Sequence, residues 1–532
     1  MPELYIRVTL EVNFTANGKT NTTRAKPGCI VMEKDLSNSG PRRLVSGGAW
    51  FLVLMILSGF FWLLLGIQVS RAYGPYGFGL FSMAYSVFDF LWALIFGGLF
   101  EGLIHFGAGY LTKKDANLSR YFSNYVRYLT VISLIMFVFL AILSFQTSDV
   151  LFRLILLSLA FAFLFSGTKD SLSSIIGSLH KSKQLSIIQS SGFYAVSIIG
   201  MIFVLFNLPI NLLPVLIVVA PVCQLLLCVY FLRTYLKDLF LFNVDFFANK
   251  KIKDSLLEDL KQFKHILIFG FSISVGKISF MIMKSLDIPI LNLFFDYANV
   301  GVYSVADTVS SVLFMMTAFS LPILSSVSEA WSKKDDALIE KYVKISVKYP
   351  LILGLPLTVI IFALAEPIVV GVYGIAFQGA IMPLQILIIG TFLLMFGRTL
   401  SSILIGIGKA KLSGMLLAAA ATQYIISLFI LVPLFGLDGA AISLTLTGVT
   451  SLILIPIFIK RHLKVDVFSG LHKILFSGAI LAAILLLIPK SDFLILFFGT
   501  IASIAVYVIL LYYTGYINQE DINILKTARA QS

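Results

Sequence analysis

The sequence predicts an all-α polytopic membrane protein: fourteen transmembrane helices, set out as two pseudo-symmetric six-helix lobes with two further helices at the C-terminus. Three observations predict it. Of the 532 residues 58% are hydrophobic and only 13% are charged, a balance outside that of soluble domains. Fourteen apolar runs can be counted along the chain, each near the roughly 20 residues that cross a bilayer core. A stretch of the first half also recurs about 220 positions later in the second half.

Taken in order, residues 1–44 are polar and read as a cytoplasmic tail with no cleavable signal peptide. Met32, followed by Glu33-Lys34-Asp35-Leu36, is an alternative start, which makes residues 1–31 either a disordered tail or a mis-assigned start. The first lobe, 45–236, holds segments near 45–69, 79–104, 122–144, 150–176, 185–206 and 212–236. A charged linker follows at 237–264, containing Lys250-Lys251-Ile252-Lys253-Asp254. It reads either as an amphipathic helix on the inner membrane surface or as a plain solvated connection. The second lobe, 265–459, holds segments near 265–290, 301–325, 345–364, 380–405, 412–434 and 437–459. Segments at 473–489 and 493–515 have no repeat partner, and 516–532 form a second cytoplasmic tail.

The net charge of +13 would suit nucleic acid if it were gathered on a soluble face. Its distribution excludes that reading. With the N-terminus inside, the inner loops hold 32 of the 40 Lys and Arg, and the outer loops hold two, Arg71 and Lys490. This is the positive-inside pattern, and it supports the segment count and the orientation together. A cell membrane location with both termini cytoplasmic follows. Three cysteines, Cys29, Cys223 and Cys228, show no metal or disulfide spacing. Phosphate-cradling motifs, nucleophile triads and metal-ligand spacings are also missing, so no enzyme activity, cofactor or metal is expected.

The repeat sets Gly79-Leu80-Phe81-Ser82-Met83-Ala84 against Gly301-Val302-Tyr303-Ser304-Val305-Ala306, and Thr112-Lys113-Lys114-Asp115 against Ser332-Lys333-Lys334-Asp335. A second pair places Lys169, Ser173, Ile176 and Gly177 against Arg398, Ser402, Ile405 and Gly406. The first offset spans six segments, an even number, so both copies enter the membrane in the same direction and an axis along the membrane normal relates the lobes.

Charge inside hydrocarbon is costly and usually faces the protein interior or a water-filled cavity. Lys277 and Lys284, seven residues apart, share a helix face. Lys284 is placed to pair with Asp287 at i, i+3, which leaves Lys277 as an unpaired central cation. Lys169, next to Asp170, and its repeat mate Arg398 add cations at equivalent depths in the two lobes. These four cations are the candidate substrate contacts, suited to a phosphate or diphosphate. Asp89, Asp170, Asp287 and Asp307 are the candidates for coupling an ion or for salt bridges, and pairing that merely holds helices together is the competing reading for all eight. Pro289, Pro322, Pro350 and Pro356 mark places where the backbone is expected to kink.

Several stretches resemble the polysaccharide and oligosaccharide-lipid flippases of the multidrug/oligosaccharidyl-lipid/polysaccharide exporter superfamily. They are Ser70-Arg71-Ala72-Tyr73-Gly74-Pro75-Tyr76-Gly77-Phe78-Gly79-Leu80, Ser285-Leu286-Asp287-Ile288-Pro289-Ile290-Leu291, Val300-Gly301-Val302-Tyr303-Ser304-Val305-Ala306, Gly406-Ile407-Gly408-Lys409 and Phe435-Gly436-Leu437-Asp438-Gly439-Ala440-Ala441. The resemblance covers about residues 40–515. It implies alternating access and a lipid-phosphate- or lipid-diphosphate-linked glycan moved from the inner to the outer leaflet, with membrane lipids, glycosyltransferases and a polymerase of the same pathway as partners. The two appended helices are similar in number to those of peptidoglycan-precursor flippases and offer a groove for the lipid tail. A small-molecule or drug exporter of the same superfamily is the alternative, favouring twelve segments and an acidic cavity. A glycan polymerase or ligase comes third, because no large outer loop is visible.

Overall fold

A computed structural model describes residues 40–112, 118–179, 181–236, 275–463, 465, 470–489 and 492–517. Most of the N-terminal tail, all of the linker and most of the C-terminal tail lie outside the described residues. The membrane-spanning architecture lies within residues 47–532.

Every described element is helical. Helix α1 runs Gly40–Thr112 and is interrupted at Gly74, whose φ of 66° and ψ of −171° break it into two arms. That positive φ is open to glycine and costly for other residues. Pro75 then starts the second arm with φ already fixed for a helix. The arms fold back on each other as a hairpin: Trp62 and Tyr85, nearly equidistant from Gly74 in sequence, bring their rings to 4.9 Å. The turn between the arms is thus confined to one glycine.

The first lobe continues with α2 (Leu118–Gln146), α3 (Val150–Ser178), α4 (Ser182–Leu205) and α5 (Leu216–Leu236). α3 packs against α2 and α5, and α4 against α5. In the second half, residues 275–285 form α6, followed by α7 (Asp287–Phe294), α8 (Tyr297–Ser310), a 3-10 stretch (Ser311–Phe319) and α9 (Ser320–Lys333). Next come α10 (Asp336–Ala363), α11 (Ile381–Gly406), α12 (Ala410–Phe435) and α13 (Leu437–Leu463). α11 packs against α10 and α13, and α12 against α13, the same neighbour scheme as α3 with α2 and α5. Finally α14 (Leu471–Leu487) and α15 (Phe493–Tyr513) dock on α10, where the Tyr507 hydroxyl donates to the Ile352 carbonyl at 3.4 Å.

Ten helices among the described residues are long and apolar enough to cross a membrane, which establishes a multi-pass protein without reaching the expected count of fourteen. The reasons are physical. The α1 hairpin counts once, the run 297–333 is cut by its 3-10 stretch, and α14 has only 17 residues. Residues 265–274 lie outside the described part.

Proline acts at fewer places than expected. α10 passes through Pro350 and Pro356 unbroken. Before Pro289, which has no N–H to offer the Ser285 carbonyl, the chain bends at Leu286 and α6 gives way to α7. One of the repeated turn residues is a capping device: the Asp335 carboxylate accepts from Leu338 N at 2.9 Å and starts α10. Its repeat counterpart Asp115 lies outside the described residues. Gly408 and Gly436 both have positive φ, as turns at those places require.

The two halves meet at the repeat itself. A Cβ on Gly79 would strike the Tyr297 carbonyl oxygen and come within 2.8 Å of Gly301 N. Reciprocally, a Cβ on Gly301 would strike the Pro75 carbonyl oxygen and come within 2.8 Å of Gly79 N. The crossing is flanked by Tyr76 against Tyr297 at 5.7 Å and Phe78 against Phe377 at 6.4 Å. Beside it, Arg71 donates through Nε to the Val372 carbonyl and through Nη2 to the Gly371 carbonyl, both at 2.7 Å. Those carbonyls belong to a π-helical turn, Pro367–Tyr373.

Placing Val at Gly79 or Gly301 puts a branched side chain into backbone and is expected to cost more than the usual 1–3 kcal/mol of overpacking. Gly59→Ala, where a Cβ meets nothing within 4 Å, should leave stability unchanged or slightly raised. Thermal melting of the purified protein with detection by size-exclusion chromatography separates the two outcomes.

Candidate functional site

The bend at Leu286 decides what α6 presents. Lys277, Phe280 and Lys284 follow at i, i+3 and i+7 and so lie along one face. That face meets the second arm of α1, the 3-10 stretch and α11. The Lys277 ammonium lies over the Trp92 ring at 5.6 Å and over Phe100 at 5.4 Å. Lys169 of α3 lies over the same Trp92 ring at 5.7 Å. Arg398 of α11 stacks on Phe280 with its guanidinium carbon 3.8 Å from the ring centre. Phe280 packs on Phe314 at 6.1 Å, and Lys284 lies over Phe314 at 5.9 Å. The four predicted cations are thus joined through Trp92, Phe280 and Phe314 in one ladder spanning both halves. Aromatic faces attract cations by about 0.5–2 kcal/mol each, which lowers the cost of placing them at mid-membrane.

Two of the predicted acids complete the ladder. Asp170 pairs with its neighbour Lys169 at 2.6 Å and accepts a hydrogen bond from Trp92 Nε1 at 2.7 Å, with its side chain 4% exposed. Asp89 reaches Lys284 at 3.3 Å, and these side chains are 38% and 34% exposed. The exposures rank the pairs. Removing one partner of a buried pair costs about 3–5 kcal/mol, whereas an open pair contributes about 0–1 kcal/mol. Asp170 therefore belongs to the scaffold, while the link between Asp89 and Lys284 is readily broken.

Two expectations are corrected here. Lys284 does not pair with Asp287, because the bend makes Asp287 the first residue of α7 instead of a continuation of the α6 face. Asp287 is buried and accepts from the Tyr303 hydroxyl at 2.8 Å and from Ile288 N at 2.9 Å. Nor is Lys277 an unpaired cation, since it is held against two rings. Asp307, the last predicted acid, lies in electrostatic reach of Asp287 and Lys284. Tyr424 of α12 faces the same two acids, fully buried and with no hydrogen-bond partner for its hydroxyl among the described residues.

Trp92, Phe280, Phe314, Tyr303 and Tyr424 were not singled out by sequence, since aromatics in apolar runs are ordinarily core. The seven-residue lysine spacing pointed to the face, and an aromatic at i+3 between those lysines was the available signal. Cys228 and Cys223 are free thiols, the first buried; Cys29 lies outside the described residues. Groups of three or more metal-ligating side chains do not occur among the described residues. A groove of about 640 Å³ lies apart from the ladder along α12 and α13, lined by Thr422, Gln423, Ile426, Ile430 and Leu446.

Trp92→Phe deletes the donor to Asp170 and leaves a buried carboxylate one bond short, and Tyr303→Phe does the same to Asp287. Each should destabilise the protein by about 1–3 kcal/mol in thermal or denaturant melts.

Comparison with known proteins gives three results. The model of a family described as polysaccharide biosynthesis protein matches residues 44–328. An uncharacterized membrane protein of Methanocaldococcus jannaschii is 27% identical over 206 residues, covering 36% of this chain. The chain spans only 39% of that curated relative's length. Among solved structures, the lipid II flippase MurJ in an inward closed conformation is similar with a TM-score of 0.70 at 14% identity, over 87% of this chain and 98% of that one. An inward-facing multidrug resistance MATE family transporter of the MOP superfamily gives a TM-score of 0.60 at 18% identity, over 76% of this chain and 95% of that one. At such identities the likeness is one of fold.

Proposed function

The chain belongs to the polysaccharide biosynthesis protein family, and the lipid II flippase MurJ and a MATE transporter of the MOP superfamily are similar to it in fold; from that premise we propose that it flips a lipid-linked glycan. The cargo is an oligosaccharide or polysaccharide repeat unit on a lipid phosphate or diphosphate, carried from the inner to the outer leaflet of the cell membrane. The observation that carries this reading is the ladder of Lys169, Lys277, Arg398 and Lys284 between the two halves. Four cations gathered at one place suit an incoming phosphate or diphosphate. Lobes 45–236 and 265–459 rock about the 79/301 crossing, and both termini lie on the cytoplasmic side, as the Lys and Arg distribution favours.

Ion coupling falls to Asp287 and Asp307 in this reading, since Asp170 is engaged by Lys169 and Trp92, and Asp89 by Lys284. The cationic ladder also speaks against export of cationic drugs. Lys277→Ala in protein reconstituted into vesicles should lower flipping of a lipid-diphosphate-linked glycan by about tenfold or more, the worth of one charge-assisted contact. Unchanged flipping by a correctly folded variant removes the central cation from the mechanism.

A further inference from the structure

The two acids on the ladder are held in opposite ways. Asp170 is buried, bonded to Lys169 and to Trp92, and has no room to leave. Asp89 is held by Lys284 at 3.3 Å, and both side chains are about a third open. The partners also belong to different halves: Asp89 stands on the second arm of α1, ten residues beyond Gly79, and Lys284 on α6. Along α6 the rise of 1.5 Å per residue separates Lys277 from Lys284 by about 10 Å, and Arg398 lies on Phe280 between them. On the orientation that the charge distribution favours, α6 runs outward, so an anion from the cytoplasmic side meets Lys277 and Lys169 first and Lys284 last.

We propose that Asp89 is a resident stand-in for the cargo's anionic group at the outermost cation of the ladder. Its carboxylate occupies Lys284 until a phosphate or diphosphate arrives, and the incoming anion displaces it. Asp287 and Asp307 also act on Lys284 electrostatically, but Asp287 is buried and bonded to Tyr303, so Asp89 is the acid that exchanges. Because the displaced contact joins the halves, arrival of cargo cuts an ion pair between them at the same step. Empty protein keeps the tie and loaded protein loses it. This inference rests on the proposed anion-binding cavity and assigns Asp89 a role as a positioning residue within it.

An internal competitor lowers apparent affinity by the fraction of time it occupies the site, so removing it has a sign that a structural role does not share. The test is calorimetric titration of the full chain in nanodiscs with farnesyl diphosphate, and in parallel with inorganic pyrophosphate. It compares the parent protein, Asp89→Asn, Lys284→Gln and the double variant. Asp89→Asn should tighten binding by about two- to sixfold, the range an open ion pair allows, Lys284→Gln should weaken it, and Asp89→Asn should add nothing once Lys284 is gone. Asp89→Asn binding equal to or weaker than the parent, in protein with an unchanged melting temperature, overturns the inference while leaving the cavity reading intact. Should Asp89→Asn melt early, Asp89→Ser supplies the same comparison. Absence of binding by the parent and by every variant overturns the cavity reading and the inference with it. Tightening with farnesyl diphosphate but not with pyrophosphate supports the exchange and assigns the anion to a lipid head.

Discussion

Two backbones touch where Gly79 and Gly301 cross, and the rest of the interior follows from that approach. Side chains on either residue would hold the second arm of α1 away from α8. With glycine on both, Pro75 and Tyr297 offer their carbonyls into the gap reciprocally, one turn before each glycine. The contact is symmetric because the sequence is duplicated, so a single solution to close packing serves both halves. Its depth governs what lies further along the same helices: Asp89 comes within reach of Lys284, and Trp92 comes beneath Lys277.

The ladder answers a problem that every charge in a membrane poses. A cation at mid-depth loses most of its hydration, and a permanent carboxylate partner would restore stability while ending its use. The buried Lys169–Asp170 pair builds structure, whereas the half-open Lys284–Asp89 pair leaves its cation within reach of an anion, and all four cations also lie on rings. The buried Tyr303 solves the opposite problem for Asp287, supplying a hydroxyl where a bare carboxylate would stand alone.

Much of this was legible beforehand. Composition and run length establish a multi-pass helical membrane protein, and the repeat at 79 and 301 marks the duplicated halves. What sequence could not express is that the two copies touch, since a repeat records similarity and says nothing of distance. Reading Lys284 against Asp287 failed because i, i+3 pairing assumes an unbroken helix, and Pro289 interrupts it two residues past the acid. Trp92 escaped notice because its role depends on three neighbours from two other stretches of chain: Lys277, and the adjacent Lys169 and Asp170, the last through its indole N–H. α10 runs through Pro350 and Pro356 without a break, so a proline in an apolar run does not by itself end a helix.

Arg71 meets its partners in a way that bears on how such a protein can change over time. It grips the carbonyls of Gly371 and Val372, groups that every residue possesses, and so recognises the path of the backbone there and not the identity of its side chains. The two sides of that junction are therefore under unequal constraint. Residues 371 and 372 are free to drift wherever the π-helical turn survives, while position 71 must keep a planar fork with two donors, which lysine does not supply.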